Sequence, residues 1–179
     1  MKNCYLWLKK SVTLVSMVFV SLVSFGQLSG TYTIGGTSPS YSSVTAAVSA
    51  LNSNGVNGAV TFNIRSGTYT GQLSFRSVFG SSATNTIRFR PDPANTTPVV
   101  IQYSSNGSTT NWTVGFNGSS YISIDSCEIK ATSTRYGRVV DFRGSNSFIS
   151  FDGNDLVGRS NATSSTWDAI VWDERGTSH

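Results

Sequence analysis

The nine acidic side chains of this 179-residue chain are unevenly placed, and only Asp92 precedes position 120. Asp125 and Asp152 each close a similar stretch, Ile-Ser-Ile-Asp-Ser and Ile-Ser-Phe-Asp-Gly. Carboxylates at matching positions of a stacked repeat approach to one strand spacing, where they repel unless a cation, an arginine or a shared proton relieves them. Two chemistries suit such a pair: a calcium site, or the acid/base centre of a polysaccharide-cleaving enzyme, with Asp141, Glu128 and Asp155 as further members. A plainer reading competes with both, because Asp before Ser or Gly at a strand end ordinarily accepts hydrogen bonds from nearby backbone N–H groups. The lone His179 is the last residue, and no compact Asp-rich calcium loop is present. The plainer reading is therefore favoured, and the catalytic residues and any metal stay unassigned.

Cationic and aromatic residues form a second set. Arg135, Tyr136, Arg138 and Arg143 fall within nine residues of one another and offer guanidinium forks beside a ring face. That combination suits a sugar acid or another glycan. Trp112, Tyr121, Trp167 and Trp172 would extend the aromatic surface. The competing role is structural, with the rings stacked in a core or covering a sheet edge. A single cysteine, Cys127, remains beyond the first few residues, and its alternating surroundings call for a small buried hydrophobe with no disulfide.

These residues need elements to hold them. Val44, Ala47, Val48 and Leu51 recur at helical spacing between Ser42 or Ser43 as N-cap and Asn54-Gly55 as terminator. So short a helix must lie on something, and the open end of a strand stack fits. From Ala59 onward the chain alternates in short strands divided by Gly, Asn, Ser and Pro. Within them, residues 114–126 repeat as 140–153, at an offset of 26 that becomes 27 after one inserted residue. A period of that size without a helix is one coil of a β-solenoid. The alignment stacks Phe116 on Phe142 and Ile122 on Ile149.

The helix, Asn-Gly, then Val60-Thr61-Phe62-Asn63-Ile64 and Gly67-Thr68-Tyr69 together resemble the N-terminal entry of pectin-lyase-like right-handed parallel β-helix proteins exported by Gram-negative bacteria. The resemblance implies an all-β, right-handed solenoid with a short N-terminal capping helix. It also implies a turn at Gly67-Thr68-Tyr69, and it makes a polysaccharide lyase or glycoside hydrolase the enzymatic alternative, with Asp125, Asp152, Arg138 and Arg143 converging in one groove.

Lys2, Lys9 and Lys10 followed by an apolar run to Phe25 have the grammar of a signal peptide over residues 1–26, cut before Gln27. Those three lysines leave with it, so thirteen basic residues become ten against nine acidic ones. Near-neutrality gives no field for nucleic acid, and no membrane span is expected after cleavage. Residues 27–179 then read as the N-terminal portion of a solenoid, truncated because the polar tail after Trp172 is too short to cover the last coil. The expectation is a secreted or cell-surface module for adhesion or glycan binding, without catalysis and with calcium as the one cofactor considered. An inactive fragment of a longer surface protein is the third reading.

Overall fold

The computed structural model describes residues 26–133, 135–159 and 168–173. The expected leader (except Gly26), Trp167 and the tail from Glu174 lie outside the described residues. In chain order the elements are β1 (Leu28–Ile34), α1 (Val44–Asn54), β2 (Val56–Ile64), β3 (Gly67–Thr70), β4 (Leu73–Arg76), β5 (Ile87–Pro91) and β6 (Val99–Tyr103). They continue as β7 (Trp112–Asn117), β8 (Ser120–Asp125), β9 (Glu128–Ala131), β10 (Gly137–Arg143), β11 (Ser147–Asp152), β12 (Asp155–Val157) and β13 (Asp168–Asp173).

Every third strand from β2 onward joins the same sheet. The first sheet runs β1-β2-β5-β8-β11, the second β3-β6-β9-β12 and the third β4-β7-β10-β13. All the ladders within them are parallel. The chain is thus a right-handed parallel β-helix of about five turns, each coil adding one strand to each sheet. The alignment drawn from the repeat holds in the ladders: Phe142 is registered on Phe116 and Ile149 on Ile122.

Inward-pointing residues fill the tube in columns. Tyr32, Phe62 and Phe89 stack down the first sheet, with centroids 5.7 Å and 4.5 Å apart. Phe75, Phe116 and Phe142 stack down the third, at 5.1 Å and 5.3 Å. Phe75 meets Phe89 edge-on at 5.5 Å, which ties the two columns together. Such pairs add about 0.5–1.5 kcal/mol each beyond the apolar area they bury.

The helix does what its pattern requires. Ser43 Oγ accepts from Ala46 N–H at 3.1 Å as N-cap, and Val44, Ala47, Val48 and Leu51 enter the core. Asn52 extends the helix's role to the edge strand β4: its amide donates to Ser74 O at 2.8 Å and its oxygen accepts from Arg76 N–H at 3.1 Å. One side chain thereby satisfies the edge as a neighbouring strand would.

Asparagines also latch coil to coil. Asn95 accepts from Ser66 N–H and donates to Ile64 O, both one coil earlier. Asn146 treats Ser119 N–H and Phe116 O in the same way, and Asn154 does so with Cys127 N–H and Ile124 O. The Gly67-Thr68-Tyr69 element begins β3, and the Tyr69 hydroxyl lies 2.8 Å from Arg65 O and 3.3 Å from Ile34 O, closing the turn out of β2. No helix among the described residues is long and apolar enough to cross a membrane.

Candidate functional site

The outer face of the third sheet carries a charged cluster centred on Asp141. This carboxylate is fully buried, yet it lies on the outward side of β10, registered beside Gly115 of β7. Arg143 Nε meets one carboxylate oxygen at 2.8 Å, and an Arg138 terminal nitrogen meets the other at 3.2 Å. Arg138, buried itself, is three residues from Asp141. The two face each other because alternation lapses at Val139 and Val140, which both enter the core.

Each guanidinium is also covered by an indole. Arg143 Cζ lies 4.3 Å from the Trp112 ring centroid and Arg138 Cζ lies 4.1 Å from that of Trp172. These cation–π contacts shield the charges and are worth more because water is excluded. Trp112 reaches its place only because residue 115 is glycine: a Cβ there would sit 2.3 Å from the indole nitrogen. A cavity of about 180 Å³ opens beside the cluster, lined by Ser74, Arg76, Trp112, Asn117, Asp141 and Arg143 among others. The Trp112 indole N–H, buried at this cavity, has no hydrogen-bond partner among the described residues. The arrangement combines guanidinium donors, an indole donor and a carboxylate acceptor around one opening, which is the equipment for a ligand bearing hydroxyls and negative charge.

Arg135 and Tyr136 sit at the corner before β10. The guanidinium lies 5.3 Å from the Tyr136 ring centroid, and Ser133 Oγ accepts from both backbone N–H groups. Tyr136 bridges to Ser105 in the loop between β6 and β7, and Thr109 O in the same loop accepts from Arg143 at 3.5 Å. The loop connects the corner to the cluster.

The acidic residues expected to gather are instead divided among three sheets. Asp125 and Asp152 are registered partners at the ends of β8 and β11, as the repeat implies. Asp125 is relieved by an ion pair with Arg88 Nε, while Asp152 is exposed. Glu128 and Asp155 are partners in the second sheet, and Asp141 belongs to the third. The convergence of Asp125 and Asp152 with Arg138 and Arg143 in one groove does not occur, because the two pairs lie on different sheets. Among the described residues no group of three His, Cys, Asp or Glu is close enough to hold a metal ion.

Sequence reasoning named Tyr121, Asp125 and Asp152 but did not pair Tyr121 with Phe148 on the outer face of the first sheet. Tyr121 and Phe148 stack there at 4.6 Å and 12°, and Phe148 is 70% exposed. Both have left-handed backbones, φ 58° and 54°, at equivalent points of successive coils. That conformation costs roughly 1–2 kcal/mol for a residue with a Cβ and is ordinarily given to Gly or Asn. The matched 27-residue offset was a signal for the pair; its exposure was not encoded in any local pattern.

Cys127 is buried at the corner between β8 and β9, with its thiol 3.3 Å from Asp125 O. Burial, with the Asp125 charge adding to it, pushes the thiol up to about 12. A thiol so protonated is chemically inert.

No protein-family model, curated protein or solved structure matches this chain. The fold and its two outer faces define the class: a parallel β-solenoid with preformed polar and aromatic surfaces along its flanks.

Proposed function

We propose that the chain is an exported, cell-surface module that binds glycans without cleaving them, and that the outer face of the third sheet holds an acidic sugar. The observation that carries this reading is the buried Asp141 clamped by Arg138 and Arg143 beside a cavity that Trp112 and Arg143 line. Stacking and ion pairing fix both guanidiniums before any ligand arrives, so little conformational entropy remains to be lost on binding. The cluster has two arginines against one aspartate, and Arg76 on the cavity rim adds a further positive charge. A carboxylate on a sugar ring would meet the Arg143 and Arg76 guanidiniums that line the cavity while its hydroxyls find Ser74 and Asn117. One charge-assisted pair of this kind contributes about 1.5–3 kcal/mol.

Isothermal titration of the purified chain with hexagalacturonate is the direct test. Binding that weakens with added salt, and that Arg143→Ala reduces at least tenfold, is expected. No binding, or equal affinity in Arg143→Ala, overturns the reading. Export is checked by N-terminal sequencing of the secreted chain, which is expected to start at Gln27; a chain still starting at Met1 removes the leader.

A further inference from the structure

The cavity beside Asp141 continues past β4. Ser74 and Arg76, which line it, also line a trough of about 410 Å³ on the helix side of that strand, and Thr45, Ser49, Asn52 and Ser53 of α1 form the opposite wall. Asn52 takes the place of a neighbouring strand at Ser74 O and Arg76 N–H, but the rest of α1 is a cylinder laid against a sheet edge, and the space between them stays open on the outside. We propose that the site holds an extended oligosaccharide, with a uronate unit at the Arg143 end and its neighbours laid in the α1 trough through their hydroxyls. The proposal rests on the acidic-glycan reading and names the form of ligand that the site takes, a chain in place of a single sugar acid.

Size is the first argument. Ligand pockets ordinarily enclose about 300–1,000 Å³, and the cavity at Asp141, at about 180 Å³, falls below that range. The trough that joins it at Ser74 and Arg76 brings the whole inside. Its shape follows from the fold, because α1 runs alongside β4: Thr45 lies against Gly71 before the strand, and Asn52 reaches Ser74 and Arg76 at its end. From Thr45 to Ser53 the helix advances about 12 Å. A long space that opens into the charged cavity receives a linear ligand.

Charge is the second. Arg76 stands exposed at the junction and makes no ion pair with any described residue. Residues 44–54 include no charged side chain, so the helix wall offers hydroxyls and an amide alone. One end of the joined space therefore calls for an anion and the other for hydroxyls, and a glycan chain carrying a uronate supplies both. The two parts are held together before any ligand arrives: Gln72, in the trough wall, donates to Thr110 O and to Trp112 O, both at 3.0 Å. A nucleic-acid strand is disfavoured, because successive phosphates call for a row of cations and Arg76 alone lines the trough. An added peptide strand is disfavoured because Asn52 already occupies the β4 edge at Ser74 and Arg76.

The test is isothermal titration of the purified full chain with galacturonate and with hexagalacturonate, in salt of about 0.15 M, where charges more than about 8 Å apart are largely screened. The hexamer is expected to bind at least thirtyfold more tightly than the monomer, beyond the sixfold that six equivalent units give by counting alone. Ser49 is exposed and faces the trough, so Ser49→Glu sets a like charge against the chain and Ser49→Lys an unlike one, with the core untouched. Hexamer binding is expected to weaken at least fivefold in Ser49→Glu and to strengthen two- to threefold in Ser49→Lys, a gain that misfolding does not produce. Galacturonate binding is expected to be the same in both variants as in wild type, whereas Arg143→Ala weakens both ligands. Hexamer binding that neither Ser49 variant changes, or that exceeds the monomer's only by the statistical factor, overturns the inference and leaves the acidic-glycan reading standing. A wild-type chain that binds neither ligand overturns both.

Discussion

The outer faces of the first and third sheets are built from the same residue types and use them in opposite ways. On the third sheet the carboxylate of Asp141 is wholly buried, and aromatic rings cover the arginines that neutralise it. On the first, Arg88 is half exposed beside Asp125, Asp152 faces water, and the aromatic rings cover each other. A buried ion cluster loses hydration and recovers it only if every partner stays in place. In the Arg88–Asp125 pair the carboxylate is buried but the guanidinium stays half in water, so less hydration is lost and less must be recovered. The third sheet therefore holds a rigid charged site that the fold depends on, and the first holds a stacked aromatic pair that the fold can spare.

Removing one carboxylate from each face gives the widest expected separation. Asp141→Ala removes the carboxylate that pairs with the buried Arg138 and should lose about 3–5 kcal/mol of unfolding free energy in urea titration. Asp125→Ala leaves Arg88 to water and should lose about 1 kcal/mol or less. Equal losses would dissolve the distinction.

Alkaline titration sharpens it from the core side. The Cys127 thiol of the unfolded chain ionises near 9.0, whereas the folded one holds its proton to about 12. Between those values the unfolded state binds fewer protons, so stability falls as pH rises, by on the order of a few kcal/mol. Burial raises the Tyr41 and Tyr69 hydroxyls as well, and both act in the same direction. The measurement is therefore the difference between wild type and Cys127→Ala across pH 9 to 12, with the variant expected to show the shallower decline. Parallel declines would mean that the thiol is not sealed beneath the first sheet.

The smallest effect belongs to the stacked pair of Tyr121 and Phe148 itself. Phe148→Gly relieves a left-handed backbone and forfeits a ring stack, two contributions of about 1 kcal/mol and opposite sign. Thermal unfolding should move by only a few degrees. A collapse would show that the ring supports the fold.

Much of this architecture was legible in the sequence where coils have matching length. The 26- and 27-residue offsets placed Phe142 on Phe116 and Asp152 on Asp125 because only one inserted residue separates the β7–β8 coil from the β10–β11 coil in length. Earlier coils carry longer connections, between β4 and β5 and between β6 and β7, which displaced Phe75 from Phe116 by 41 residues and hid the period. Strands as short as β3 and β12 hold too few residues to show alternation. Arg138, Asp141 and Arg143 were each visible as chemistry, but in two separate groups. Strict alternation sets Arg138 and Asp141 on opposite faces, and only the local lapse at Val139 and Val140 unites them. Gly115, three residues after Trp112 inside a strand, was the readable sign of a close approach.

The asparagine latches carry a chemical vulnerability. Each of Asn95, Asn146 and Asn154 donates to a backbone carbonyl of the preceding coil and accepts from a backbone amide there, and Asn146 donates to Arg143 O in its own coil as well. Only a primary amide performs both tasks at this reach. Slow hydrolysis of that amide to a carboxylate, with loss of ammonia, keeps the accepting oxygen and abolishes the donor, setting a negative charge against the carbonyl it once held. Hydrolysis at any of these three positions would release one seam between coils while the aromatic columns inside remain closed.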